Sequence, residues 1–451
     1  MKKVVLFVTL FILGIMNSVN LFAQSATSSP IDTGSTAWLI LATAMVLLMN
    51  IPGLALFYGG LVRQKNVLNI LMQCFVITAV ISIEWVLVGY SFSFSEGNGF
   101  IGNLDWALLN NIGISDPSPY FISQSATAAD GTVTGTIPHL LFVLFQCMFA
   151  IITPALIIGS FAERVKFKGF LIFSVIWSLL VYNPVTHWIW ASDGWLYKMG
   201  VLDFAGGIVV HITAGIAALV MAIMVGRRKY YEDKPIPPHN IPMVAIGASL
   251  LWFGWFGFNA GSGLAADGLA VSAFLSTHIS ASVAAFIWVL LEWIINKKPT
   301  TIGFATGAVA GLAAITPASG YVTMPSAMLI GAISSVACFY MVSHAKSYFK
   351  YDDSLDAFGV HGVAGIIGSL LVGLLASPLI QPNCVGLFSG NPHQFGVQTL
   401  AVVVTTIYTA VLTYLIFLLV DKLVGIRATV DNELTGLDIS EHSEEAYTEI
   451  D

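Results

Sequence analysis

Apolar residues in this chain gather in long runs, each able to cross ~30 Å of hydrocarbon as a helix. They fall near 36–57, 67–92, 137–161, 169–190, 204–226, 242–262, 269–295, 301–318, 325–345, 358–377 and 397–420, which predicts eleven spans. An earlier apolar run, Val4 to Met16, follows Lys2 and Lys3 and precedes Leu21-Phe22-Ala23. It reads as a signal peptide over residues 1–23, cleaved before Gln24, because its apolar core is short for a ~20-residue span. The alternative is an uncleaved first span. Residues 24–424 then form one transmembrane domain, and 425–451 an acidic tail.

The basic residues orient the spans. Beyond Lys2 and Lys3, fifteen of the sixteen Lys and Arg follow odd-numbered spans, and Lys198 is the exception. The positive-inside rule places those connections in the cytoplasm. It predicts an inner (plasma) membrane protein with its mature N-terminus outside and its C-terminus cytoplasmic. The longest connection, 93–136, is then external. It carries Glu96, Asp105, Asp116 and Asp130 and no Lys or Arg. It reads either as a negative vestibule that concentrates a cation or as a solvated loop.

Composition agrees. Hydrophobic residues make up 57% and charged residues 10%, against about 25% charged in soluble proteins. Mean hydropathy is +0.84. These values exclude a soluble enzyme and a disordered chain. The net charge of −7 reflects the end of the chain: eight of the 25 acids lie from Asp431 onward. No basic patch suits nucleic acid. The four cysteines, Cys74, Cys147, Cys338 and Cys384, show no metal-ligand spacing, and no cofactor is expected.

A short repeat runs through the spans. Residues 211–216 read His-Ile-Thr-Ala-Gly-Ile and residues 361–366 His-Gly-Val-Ala-Gly-Ile. An Asp precedes each His: Asp203 by eight residues, Asp356 by five. The two spans are five apart, so they run in opposite directions. That is the pattern of an inverted repeat about an axis in the membrane plane. The expected fold is an all-α integral membrane protein of eleven helices, an inverted 5+5 repeat plus one bracing helix. Gly303, Gly307 and Gly311 predict a close helix contact.

Ionisable groups inside hydrocarbon are expensive and mark function by default. His211 and His361 stand out. Two neutral imidazoles can share one N–H···N bond and handle a small polar molecule or a proton; the blander reading is a structural His pair. Asp203 could be a helix cap. Glu292 lies near Lys297, and His187 and His278 lie near outer ends, where water is available. Glu84 sits in the second span with no partner evident from sequence. A haem bundle would need a second His pair, and no HExxH, GxSxG or P-loop occurs. A pore or transporter is favoured over a membrane enzyme.

Longer strings carry a resemblance. Asp203-Phe204-Ala205-Gly206-Gly207 leads to His211, and Phe256-Gly257-Phe258-Asn259-Ala260-Gly261-Ser262 follows Trp255. Phe57 to Arg63, Phe145 to Phe149, Ala162-Glu163-Arg164 and Asp356 to Gly362 add to these. Over nearly all of Thr33–Asp451 the chain resembles the Amt branch of the Amt/Rh ammonium transporter family. The resemblance implies a homotrimer with one pore per subunit. It implies that Trp190, Phe149 and Ser262 recruit ammonium, the cation facing aromatic rings. Phe149 and Phe258 would gate the pore, His211 and His361 would be its twin histidines, and Asp203 and Trp255 would support it. Trp190 and the Phe149–Phe258 pair favour the Amt side over the Rh side. NH4+ would lose a proton outside and cross as NH3, with the proton following separately. An electroneutral NH3 channel or a membrane ammonium sensor is the alternative. The tail from Gly425 to Tyr447 resembles the region where a P-II-type nitrogen-regulatory protein docks in bacterial members; otherwise it is a solvated acidic tail.

Overall fold

The structure, a computed structural model, describes residues 30–122, 125–127, 131–231 and 236–447. The expected signal peptide, Asp130 and the last four residues of the tail lie outside the described residues. Among the described residues ten helices are long and apolar enough to cross a membrane, and an eleventh apolar helix is shorter. In chain order they are α1 Thr33–Leu61, α2 Gln64–Phe94, α3 His139–Phe161, α4 Phe167–Lys198, α5 Gly207–Val225, α6 Ile241–Gly261, α7 Gly268–Asn296, α8 Thr301–Ile315 (the shorter one), α9 Met324–Phe349, α10 Phe358–Leu375 and α11 Pro392–Val424.

Burial sorts them into an inner and an outer set. α3 is wrapped on all sides, 94% of its central window being buried, whereas α11 is only 33% buried. α11 lies against α4, α5 and α10, the bracing position expected of the unpaired helix. The small-residue face of α8 does what its spacing predicts. A Cβ added at Gly307 would lie 2.5 Å from the Trp288 Cβ, and one at Gly311 2.5 Å from that of Ala284. Without side chains there, α7 and α8 approach closely.

α5 and α10 each open with a widened π-helical turn, Gly207–Ile212 and Phe358–Gly362, each containing its histidine. They cross at glycine. A Cβ on Gly215 would stand 2.2 Å from the Gly362 Cα, and one on Gly365 2.9 Å from both the Gly207 carbonyl oxygen and the His211 Cβ. This backbone contact brings the two repeat histidines together.

The connections after α1, α3, α5 and α9 meet at one end of the bundle, as the parity of the basic residues requires. Glu163 accepts from Arg63 Nε at 2.9 Å and lies 3.4 Å from Arg228. Asp352 pairs with Arg228 at 2.8 Å and faces Arg164 at 3.8 Å. Burial alone would raise both carboxyls, but Arg228 and Arg63 pull Glu163 below the usual carboxylate range, and Arg164 and Arg228 do the same for Asp352. Burial brings Arg164 down to about 10. The tail joins this end. Thr429 caps a short helix, Val430–Thr435. Asp438 then accepts from the N–H groups of Leu68 (3.0 Å) and Asn69 (2.8 Å) at the start of α2.

Candidate functional site

The sequence-predicted residues form a continuous series through the bundle. Trp190 ends a two-turn segment of α4 and meets Phe149 of α3 edge to face, with ring centroids 5.9 Å apart at 86°. Phe149 overlaps Phe258 of α6 at 4.3 Å. Phe258 lies 6.1 Å from His211, and His211 lies 5.3 Å from His361. Trp255 faces His211 at 5.4 Å and donates its indole N–H to Thr316 at 2.9 Å. Ser262 joins through the backbone, donating to the Phe258 carbonyl at 2.8 Å. Phe253 and Phe256, no less plausible by type, lie elsewhere: Phe253 is exposed and Phe256 stacks on Phe274.

A narrow cavity begins under Phe258. His211, His361 and Trp255 line it, with apolar side chains such as Met49, Ile152 and Val309, and among the described residues no acid does. A wider cavity begins at His361 and opens toward Arg228, Lys346 and Asp356.

The histidines do not share a hydrogen bond. Their rings lie parallel to within 12°, with centroids 5.3 Å apart. Both nitrogens of His211 and Nδ1 of His361 are buried with no protein partner. The pair is therefore not a closed structural bridge, and it keeps hydrogen-bonding capacity for something in the cavity.

Asp203 is fully committed. Its Oδ1 accepts from the N–H groups of Gly206 (3.0 Å) and Gly207 (2.6 Å), and its Oδ2 from those of Ile208 (2.8 Å) and Val209 (3.1 Å). These are the first free N–H groups of α5, which need acceptors. The Asp203 carbonyl accepts from the Trp190 indole at 2.8 Å, so this residue ties the ring to the start of the histidine helix. Its counterpart in the second repeat is Asp353, eight residues before His361. Asp353 accepts from Ala357 (3.0 Å) and Phe358 (2.8 Å). The pairing of Asp203 with Asp356 is corrected here, since Asp356 turns away to Lys346. The equal spacing of eight was the available signal.

Two other expectations change, and Glu292 gains a partner. Glu84 has partners: Asn183 donates to it at 2.7 Å and Ser178 lies at 3.4 Å. They come from α4, distant in sequence, which is why the chain alone does not show them. His187 is not at a watery end; it is fully buried and donates to the Ser93 carbonyl at 3.2 Å. Glu292 accepts from the N–H of Thr300, the capping residue of α8, at 2.7 Å.

Helices crossing a membrane around an acid-free, aromatic-capped histidine cavity define a transport protein for a small molecule. A sequence profile described as "Ammonium Transporter Family" matches residues 37–447. An "Ammonium transporter" of Bacillus subtilis is 46% identical over 92% of this chain and 98% of its own length. One from Aquifex aeolicus is 45% identical over 96% and 98%. Among solved structures, Saccharomyces cerevisiae Mep2 matches with a TM-score of 0.81 at 31% identity over 92% of this chain and 94% of that one. A "Sensor Amt Protein" also matches at 0.81 and 31%, over 91% and 98%. The chain belongs to the ammonium transporter family. It is a multi-pass membrane transporter and not an enzyme.

Proposed function

We propose that the chain takes up ammonium by binding NH4+ beside Trp190, Phe149 and Ser262, removing one proton, and passing NH3 between Phe149 and Phe258 and along His211 and His361. The observation that carries this is the cavity itself: two imidazoles with unpartnered nitrogens, apolar walls and no carboxylate. A bare ammonium-sized ion in so apolar a site meets a Born penalty on the order of 20 kcal/mol. Neutral NH3 avoids it and can donate to or accept from an imidazole nitrogen. Aromatic faces at the mouth suit the cation before it loses its proton, where a desolvated cation–π contact is worth about 2 kcal/mol or more. The proton then follows by the histidines, which makes transport electrogenic.

The basic connections favour a cytoplasmic site for the wider cavity and the tail, and an external one for Trp190. We place the protein in the plasma membrane as a homotrimer, with a P-II-type regulator docking on the tail; the tail supports this by lying beside the wide cavity's end of the bundle, with Glu444 and Tyr447 exposed. The test is the current evoked by an ammonium jump on proteoliposomes fixed to a supported membrane. Wild type should give a current that His211→Ala/His361→Ala loses. An internal pH change without current would mean electroneutral NH3 conduction. Neither signal would leave the sensor reading, which the likeness to the Sensor Amt Protein keeps in view.

A further inference from the structure

The least expected acid in the spans, Glu84, lies away from the histidine cavity, yet a site is built around it. It is 6% exposed and bonded to Asn183, with Ser178 beside it; both neighbours are fully buried. Both helices change pitch at this point. α2 widens at Trp85–Gly89, directly after Glu84, and α4 widens at Ser178–Tyr182, directly before Asn183. Such π-turns are rare and cluster at functional sites. Gly89 completes the fit, since a Cβ there would lie 2.7 and 2.8 Å from the two Glu84 carboxylate oxygens.

Asn183 begins a regular segment of α4, Asn183–Trp190, and Trp190 ends it. Two helical turns separate the Glu84 contact from the indole. Midway, His187 is held by the Ser93 carbonyl at 3.2 Å and lies 3.4 Å from Asp193. Ser93 in turn reaches the Asn183 side-chain oxygen at 3.4 Å. The anchors of Asn183 and His187 come from α2 and from the loop after Trp190.

We propose that Glu84, acting through Asn183, is a positioning residue that sets Trp190 over Phe149 and so tunes the affinity of the outer ammonium site. The proposal rests on the reading of Trp190 given above. Glu84 touches neither substrate nor cavity. Its effect travels along a short rigid helix, whose rise of 1.5 Å per residue carries a displacement at Asn183 to the indole.

The experiment measures ammonium-evoked current against concentration in proteoliposomes, and amide exchange over residues 183–190, for Glu84→Leu, Asn183→Leu, Gly89→Ala, Glu84→Gln and Trp190→Leu. A buried polar group stranded by loss of its partner is unfavourable, so the segment shifts in the two Leu variants. Gly89→Ala displaces the carboxylate without altering either partner. These three should raise the half-saturating concentration about five-fold or more, with maximal current within about two-fold of wild type, and speed exchange at residues 186–190. Glu84→Gln keeps an acceptor for Asn183 and should behave as wild type. Unchanged exchange in Glu84→Leu and Asn183→Leu would overturn the proposal, as would unchanged half-saturation beside a raised value for Trp190→Leu. If Trp190→Leu leaves half-saturation unchanged while the Leu variants speed exchange, the recruitment reading fails and the positioning of the segment stands. A merely structural Glu84 would lower maximal current and leave half-saturation alone.

Discussion

Four consecutive N–H groups end on one carboxylate at Asp203, and its own carbonyl holds the Trp190 indole. Asp203→Leu strands those donors, each stranded buried group carrying a penalty of about 1–3 kcal/mol. The expected result is ammonium current at least ten-fold below wild type, on the order of that penalty, read at matched reconstitution. Asp203→Asn keeps one acceptor oxygen and should fall between. His211, His361, Phe149, Phe258 and Trp255 were legible because they sit in strings with a family likeness, Trp190 came from that likeness alone, and the structure brings all six into one series. Asp353 was legible in principle, through its spacing to His361, but Asp356 lay nearer and the bonding that separates them is invisible in sequence. The partners of Glu84 depend on how α2 meets α4, which no local pattern encodes.

At the scale of the helix, uninterrupted apolarity makes the spans easy to find and their internal breaks hard to see. The expected run 36–57 is Thr33–Leu61, and 169–190 is the core of Phe167–Lys198. Where nearly every position is apolar there is no polar face whose drift would betray a change of pitch. The π-turns at Gly207–Ile212 and Phe358–Gly362 therefore left only the repeated histidine as a trace. Asp32 and Asp267 accept from the first free N–H groups of α1 and α7 and fix where those helices begin. The crossing of α5 and α10 gives a prediction of its own. Gly215→Val places a branched side chain where the Gly362 backbone already stands. It should destabilise the protein by about 1–3 kcal/mol, lower its unfolding temperature in detergent, and abolish current by parting the histidines. Gly390→Ala sits where no atom lies within 4 Å, and its only strain is its own φ of +104°; it should leave current intact.

For the whole molecule, charge is concentrated at one end and pH acts there in two directions. Glu163 and Asp352 are held low by their arginines, so their contribution is present above the ordinary carboxylate range near ~4 and is lost as pH falls through the lower folded values. Asp353 is pushed up to about 6 by burial and by Asp356. Its contribution is complete in acid and is lost as pH rises through about 6. Unfolding temperature against pH should fall below pH ~4 and show a smaller decline near 6 that Asp353→Asn removes. Arg228→Met leaves Glu163 and Asp352 without their shared cation and should lower stability by about 3–5 kcal/mol.

The touching glycines of α5 and α10 bear on how the proposed path must turn over. A Cβ at Gly215 or Gly365 would collide with the facing backbone, so on the proposed path a sliding of one helix over the other meets close backbone contact at this crossing. What can move is the furniture beside it: the overlapping rings of Phe149 and Phe258, the indole above them, the two imidazoles below. Side-chain rotations run in picoseconds to nanoseconds and domain rearrangements in microseconds to milliseconds. Welding the halves together with a covalent link away from those rings would leave the throughput as it is.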